Sequence, residues 1–261
     1  MLCDGTNIVV RCASVLTDRP ETAPDDVIVT AGRMIRRAAE SLVEATHLIV
    51  AFDVPDATGH SFRHELYPQY KAHRAHKSGE TRAWVTAARE SFASAGVCCV
   101  AAPGFEADDV IATLAVRASA NPTCEVHILS GDSDLLALAS DRVHCWSFGR
   151  KDQHEAPILE RTADWIATKY GIPSPAHLTL YKTLVGDTSD GIPGVRGVGK
   201  VRARALIAEY GSLEQMIAYG MLRDHAAWAM TAREFVALRT DVPLLPISPS
   251  TCRLTRRSHA A

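Results

Sequence analysis

Four times along the chain, an apolar run is closely followed by a carboxylate. MLC (1–3) runs into Asp4, and HLIVAFDV (47–54) carries Asp53 near its end. VCCVAA (97–102) leads through Pro103 and Gly104 to Glu106, and CEVHILS (124–130) leads to Asp132. Runs this short and this apolar read as strands covered on both faces, which is the pattern of a parallel sheet. Helical spacing separates them: Val27, Ile28, Ala31, Ile35, Ala38, Ala39 and Leu42 fall on one side of residues 25–45. Trp84, Val85, Ala88, Phe92 and Ala95 do the same over 81–95, and Gly96 closes that segment. The order predicts an α/β fold with a mainly parallel central sheet flanked by helices. Acids that recur just past successive strands then share one sheet edge, where such folds open their binding crevice.

The densest stretch is 104–140, where GFEADDVIATLA and ILSGDSDLLALAS bring Glu106, Asp108, Asp109, Asp132 and Asp134 together. A helix dipole favours acids in a first turn by about 0.3–1 kcal/mol each. Capping therefore explains one or two of Glu106, Asp108 and Asp109, but not three within four positions. Asp134 has the place of a simple N-cap, whereas Asp132 does not. For Asp4, followed by Gly5, a turn or a helix cap is an equally available role. Two carboxylates about 4 Å apart repel by about 4 kcal/mol at an effective dielectric near 20, so convergence of five requires cations. Oxygen-only donors suit Mg²⁺ or Mn²⁺ far better than zinc.

Charge distribution sharpens this reading. The formal net charge is −2, yet base concentrates in 63–89, 196–204 and 253–257. A negative pocket between positive stripes suits a metal-dependent phosphodiesterase, with cation ligands inside and phosphate contacts outside. SFRHELYPQYKAHRAHK (61–77) is either a solvated charged helix or a phosphate clamp. If its end is helical, Lys71 and Arg74 share a face, with Tyr70 available to stack on a base. Hydrophobic residues make up 47% and charged residues 22%, as in soluble globular enzymes. No apolar run approaches the roughly 18 residues of a membrane span, and no signal segment opens the chain, so no membrane contact and a cytoplasmic location are expected. The seven cysteines form no CxxC pair and read as small core residues in a reducing compartment.

The strand signal fades after residue 160, which predicts an α/β domain over 1–160 and a helical domain over 161–261. Residues 163–170 and 176–185 read as helices. LVGDTSDGIPGVRGVGKVRARAL (184–206) then places Asp187 and Asp190 three apart, ahead of Gly191, Gly194, Gly197 and Gly199 and a helix with Lys200, Arg202 and Arg204. Gly194 to Lys200 fits a P-loop spacing, but Val201 stands where Ser or Thr should hold magnesium and no strand precedes it, which excludes that reading. A helix–hairpin–helix fits better, its backbone N–H groups and helix N-terminus meeting phosphate without reading bases.

In their order, SFRHELYPQYKAHR, GFEADDVIATLA, SGDSDLL and GDTSDGIPGVRGVGKVRA resemble the motifs of the 5′ nuclease family. That family comprises the 5′→3′ exonuclease domain of bacterial DNA polymerase I, stand-alone bacterial and phage 5′→3′ exonucleases and, more distantly, flap endonucleases. The likeness runs from Asp4 to LRTDVPL (238–244), with Gly191 where many relatives have asparagine. The resemblance implies a two-metal hydrolysis of DNA phosphodiesters using Mg²⁺, with Mn²⁺ able to substitute. Asp4, Asp53, Glu106, Asp108 and Asp132 would surround one metal, and Asp109, Asp134, Asp187 and Asp190 the second. It also implies a helical arch over about 68–92, with Lys71 and Arg74 steering the phosphate beside those catalytic acids. Tyr70, Gly194, Gly197, Gly199, Lys200 and Arg202 would contact DNA, and the hairpin could hold K⁺ on backbone carbonyls. Expected substrates are 5′ ends, 5′ flaps and nicked or gapped duplex, acted on by a monomer, with any DNA polymerase partner in trans. Two rival readings are a catalytically silent, structure-specific DNA-binding protein on the same scaffold and a single-metal ribonuclease of similar sheet topology.

Overall fold

A computed structural model describes residues 1–16, 23–74, 79–149 and 157–254. Lys77 and Ser78, most of the polar stretch ending at Glu155, the basic residues beyond Leu254 and the side chain of Arg74 lie outside the described residues. Strands β1 (Leu2–Asp4), β2 (Ile49–Ala51), β3 (Cys98–Val100), β4 (Val126–Leu129), β5 (Val143–Phe148) and β6 (Ile158–Glu160) form one sheet in the order β3-β2-β1-β4-β5-β6. The first five are parallel, with Cys3 beside Val50 and Leu129. Strand β6 pairs antiparallel with β5, Leu159 opposite Ser147. No sequence signal pointed to it, because a three-residue, half-exposed edge strand has too little apolar surface to show a pattern.

Helices α1 (Gly5–Leu16), α2 (Pro24–Arg37, running into a π-helical turn at Ala38–Leu42), α3 (Phe62–Leu66), α4 (Gly79–Ser94) and α5 (Ala107–Ser119) make the crossovers. Alternate strand residues feed two cores. Cys3, Val50 and Phe52 pack against Ile8 and Val9 of α1, Val27 and Ile35 of α2, and Ala88 and Phe92 of α4. Leu2, Ala51 and Ile128 pack on the other face against Val110, Ile111 and Ala115 of α5. Each such side chain contributes about 1.5–3 kcal/mol on full burial. All seven cysteines are free thiols, and none is exposed.

The arch expected over 68–92 is corrected in its second half. From Trp84 onward, α4 lies in the layer on the sheet, because Trp84, Val85, Ala88 and Phe92 give it an apolar face that packs on the core.

Beyond the sheet come α6 (Ala163–Tyr170), α7 (Leu178–Val185), a two-stranded hairpin of β7 (Gly186–Asp187) and β8 (Ile192–Pro193), α8 (Lys200–Tyr210), α9 (Leu213–Ala218) and α10 (Ala226–Val236). The core under α5 continues into them through Ile166, Leu178, Leu184, Val198 and Leu206. The last segment then returns over α5. The Thr113 hydroxyl donates to Arg239 O at 3.2 Å and accepts from Val242 N at 3.2 Å. Further on, Leu48 N donates to Cys252 O at 2.8 Å and Leu254 N to Thr46 O at 2.9 Å, beside the start of β2. Among the described residues, no helix is long and apolar enough to cross a membrane.

The hairpin depends on two glycines that let backbones touch. A Cβ on Gly186, whose φ is +83°, would lie 2.4 Å from Gly194 N, and one on Gly194 would lie 2.5 Å from Val185 C. A Cβ on Gly199 would meet nothing within 4 Å. Gly194→Ala should therefore cost about 2–3 kcal/mol, a fall in Tm of about 4–12 °C. Gly199→Ala meets no clash and loses only a favourable N-cap of α8, so it should cost about 0.5–1 kcal/mol. Equal melting temperatures for the two variants would refute this packing.

Candidate active site

The chain leaves β1 for β2 and β3 on one side, then returns to place β4 and β5 on the other, so the strand order reverses between β1 and β4. The crevice of such a sheet opens beyond the carboxyl ends of the strands at that reversal. Asp4 ends β1, and the Ser130 hydroxyl just past β4 donates to its Oδ2 at 2.8 Å. Asn7 N donates to Asp4 Oδ1 at 2.9 Å, so Asp4 caps α1 and also lines the crevice. Asp53 Oδ1 accepts Ala107 N at 2.7 Å, tying β2 to the first turn of α5. Asp132 Oδ1 accepts Asp134 N at 2.9 Å. Asp134 lies inside the 3₁₀ turn at Asp134–Leu138, whose N-cap is Ser133, so its carboxylate is not spent on capping.

Three cationic side chains pair with the acids Glu106, Asp109, Asp134 and Asp187. Lys71, in a turn with φ +52°, donates from Nζ to Glu106 Oε1 at 2.9 Å and Oε2 at 3.0 Å. Its backbone N donates to Asp190 O at 2.9 Å. This left-handed turn, followed by a 3₁₀ turn at Ala72–Arg74, replaces the helix that would have set Lys71 and Arg74 on one face. Arg63 is buried, and its guanidinium reaches Asp109 Oδ2 at 2.5 Å, Asp109 Oδ1 at 2.8 Å, Glu106 Oε2 at 3.3 Å and Phe235 O at 2.9 Å. Asp109 also accepts Arg239 N at 2.9 Å. With both oxygens engaged and no exposure, Asp109 stands apart from the acids it was grouped with. Asp108 is buried in the same first turn and accepts Asp109 N at 2.7 Å.

Tyr70 is corrected as a stacking platform for DNA. It is only 2% exposed, and its hydroxyl donates to Glu106 Oε2 at 2.8 Å and approaches Asp190 Oδ2 at 3.2 Å. Its ring packs with Ile192 and Phe235. A ring held this way joins the two groups of acids and offers no face to a base.

Asp134, Asp187 and Asp190 form the tightest gathering. Among the described residues they alone bring three ligand atoms within 4.8 Å of one another. Lys182 of α7 enters between them, donating to Asp187 Oδ2 at 2.8 Å, to Ser133 Oγ at 2.9 Å and to Asp134 Oδ1. The Ser189 hydroxyl and N–H hold Asp187 Oδ1 at 2.5 and 2.8 Å. Oxygen donors in this number fit a hard divalent cation. At the hairpin, Gly197, Gly199, Lys200 and Arg202 are exposed, while Gly194 is packed on backbone. Gly197 O, a carbonyl of the expected K⁺ site, accepts from Arg202 at 3.2 Å.

Arg63 and Lys182 were not singled out in the sequence. Arg63 is hidden by a generally basic stretch. Lys182 had a usable signal, a single cation inside the apolar run of α7.

Burial and repulsion from Asp53 push Asp4 up to about 7. Enclosure in the crevice and repulsion from Glu106 push Asp53 up to about 6, although Asp53 remains open to solvent. Burial raises Asp108, and it raises Asp134 to about 6 against the pull of Lys182. Burial also opposes ionisation of Glu106, but Lys71 and Arg63 outweigh it and hold that carboxyl down at about 2. Lys182 likewise outweighs burial at Asp187 and holds it at about 2.

Family models match both parts of this chain. Residues 1–171 match "5′-3′ exonuclease, N-terminal resolvase-like domain", and residues 173–260 match "5′-3′ exonuclease, C-terminal SAM fold". The chain belongs to the 5′-3′ exonuclease family. Relatives include DNA polymerase I of Mycobacterium tuberculosis, 37% identical over 218 residues that cover 80% of this chain and 23% of the polymerase. Thermostable DNA polymerase I of Thermus thermophilus is 34% identical over 253 residues, covering 94% of this chain and 29% of that protein. The chain therefore spans about a quarter of the length of these relatives. Among solved structures, T5 5′-exonuclease with bound zinc superposes with a TM-score of 0.73 at 23% identity, covering 92% of this chain and 89% of that one. Human GEN1 in complex with Holliday junction DNA superposes at 0.59 with 15% identity, over 98% of this chain and 63% of that one. These two likenesses establish a shared fold.

Two measurements check the electrostatics of this family member. Asp4 binds its proton more tightly folded, at about 7, than at its ordinary 3.8. Its stabilising contribution is therefore complete below 3.8 and is lost as pH rises through about 7. Glu106 and Asp187 act oppositely: their contribution is present above 4.5 and 3.8 and is lost as pH falls through about 2. In EDTA, Tm should fall between about pH 5 and 8, and Asp4→Asn should flatten that slope. A Tm that rises over this range, or an unchanged slope in Asp4→Asn, would overturn the assignment.

Arg63→Met should cost about 3–5 kcal/mol in urea unfolding, because it strands a buried carboxylate. Arg63→Met with Asp109→Asn should cost less than Arg63→Met alone. A double variant no more stable than that single one would show that the pair is not the origin of the loss.

Proposed function

We propose that the chain is a Mg²⁺-dependent 5′→3′ exonuclease and 5′-flap endonuclease that hydrolyses DNA phosphodiesters at free 5′ ends, flaps and nicked or gapped duplex. The observation that carries this reading is the gathering of Asp134, Asp187 and Asp190 beside a crevice lined by Asp4, Asp53, Glu106 and Asp132. Asp134, Asp187 and Asp190 would hold one cation, and Asp4, Asp53, Glu106, Asp108 and Asp132 the other, with Mn²⁺ able to substitute. Divalent cations bound there supply Lewis acidity toward phosphate oxygens and acidify an attacking water. Lys71, now paired with Glu106, would turn its ammonium to the phosphate and offset developing charge. Arg74 is assigned to the same task.

The exposed N-terminus of α8, with Gly197, Gly199 and Lys200, would take a duplex phosphate on N–H groups and the helix dipole, as in a helix–hairpin–helix. Arg202 would add charge, and K⁺ on the carbonyls of the turn belongs to the same proposal. Residues 161–261 thereby grip duplex, so that only a terminus or a flap enters the crevice.

Product mapping tests this on a labelled 5′-flap duplex, a nicked duplex and a single strand, each with Mg²⁺ and with EDTA. Short products carrying 5′-phosphate should form only with Mg²⁺, and Asp53→Asn and Asp187→Asn should each slow cleavage by more than about 100-fold. Wild-type rates in both variants would sink the reading. Tight flap binding without Mg²⁺-dependent product would favour a silent DNA-binding protein instead.

A further inference from the structure

Helix α7 reads LTLYKTLV, an apolar stretch interrupted by one lysine. Tyr181, Thr183 and Leu184 are buried around it, and Lys182 is itself only 8% exposed. An ammonium is buried only where it is paired and hydrogen-bonded. Its three donors meet three acceptors: Asp187 Oδ2 at 2.8 Å, Ser133 Oγ at 2.9 Å and Asp134 Oδ1. Two of these belong to the three carboxylates whose ligand atoms lie within 4.8 Å of one another. The ammonium therefore spends its hydrogen bonds on the oxygens a hard cation would need. Lys71 is less enclosed: its side chain is 21% exposed, and among the described residues its ion pair is with Glu106.

We propose that Lys182 is the resident counter-ion of the Asp134–Asp187–Asp190 group, neutralising it when no divalent cation is bound and withdrawing as one enters. Lysine suits this use because it carries a compact charge on a flexible stem, whereas a guanidinium is a rigid fork. Ser133 Oγ gives the withdrawn ammonium a partner that is not one of the three acids. Competition for the same oxygens makes Lys182 the residue that sets the cation concentration at which this group fills. The inference rests on the proposed reading of the three aspartates as a cation site.

Mn²⁺ binding, read by electron paramagnetic resonance of the free ion and by titration calorimetry, tests it on the full chain. The proteins are wild type, Lys182→Met, Lys182→Gln and Asp187→Asn. Removing the competing ammonium should tighten the weaker Mn²⁺ class at least about tenfold in Lys182→Met. The same variant should melt lower than wild type in EDTA and gain more in Tm on adding Mn²⁺. If Lys182→Met does not fold, Lys182→Gln carries the same expectation. Unchanged or weaker Mn²⁺ binding in the folded lysine variant, with Asp187→Asn still losing one class of ion, would overturn the counter-ion role alone. Loss of no class in Asp187→Asn would overturn the cation site and the counter-ion together.

Discussion

Carboxylates brought to one sheet edge repel one another, and much of this molecule is arranged to tolerate that. Two unit charges about 4 Å apart cost about 4 kcal/mol at an effective dielectric near 20, against a typical net stability of about 5–15 kcal/mol. The chain answers with cations from three places: Arg63 on α3, Lys71 in the turn that follows, and Lys182 on α7. None comes from the strands whose ends carry the acids. Glu106, Asp109, Asp134 and Asp187 are therefore paired only once α3 and α7 have docked, and the acid edge cannot be treated as separate from the helices around it.

Arg63 shows how far this coupling reaches. It joins α3 to the first turn of α5 through Asp109 and to the end of α10 through Phe235 O. Arg239 N meets the same carboxylate, and the segment beyond it is fastened to α5 at Thr113 and Arg117 before it pairs beside β2. Asp109 thus works as a joint between the sheet layer and the last helix. Adjacent Asp108 and Asp109 look equivalent in sequence, yet Asp109 takes two guanidinium bonds from Arg63 at 2.5 and 2.8 Å whereas Asp108 lies 4.0 Å from it. The difference lies in the 100° step between successive helix positions, which no count of acids reveals.

The strand at 126–129 and the acids past β1, β2 and β4 were legible in the sequence, because buried parallel strands are short apolar runs and their carboxyl ends share an edge. Helix α6 was legible to its ends, with Thr162 capping it and Gly171 at φ +67° closing it. Helix α1 was not, since Gly5 opens it directly after the strand and no helix signal precedes Ile8 and Val9. What sequence reasoning misassigned was mostly direction. Tyr70 and Lys71 look like an exposed aromatic–basic pair, but a positive φ at Lys71 and the apolar contacts of Tyr70 turn both inward onto Glu106. A tertiary contact with Asp190 O fixes that turn, and its partner lies 119 positions away in the chain.

Within each group of acids, the proton affinities diverge rather than converge. Glu106 and Asp187 are held ionised near 2 by their lysines, while Asp4, Asp53 and Asp134 are pushed to about 7, 6 and 6 by enclosure and by neighbouring negative charge. Raised proton affinity at Asp4, Asp53 and Asp134, beside the ionised Glu106 and Asp187, lessens the negative charge that the three cationic side chains face. A hard cation entering such a site displaces protons as well as ammonium groups, since carboxylates bind it deprotonated. Binding of the proposed cations would therefore be linked to pH. The linkage follows from geometry: acids from four strand-end loops and a hairpin cannot share one small volume while all are ionised and none is paired.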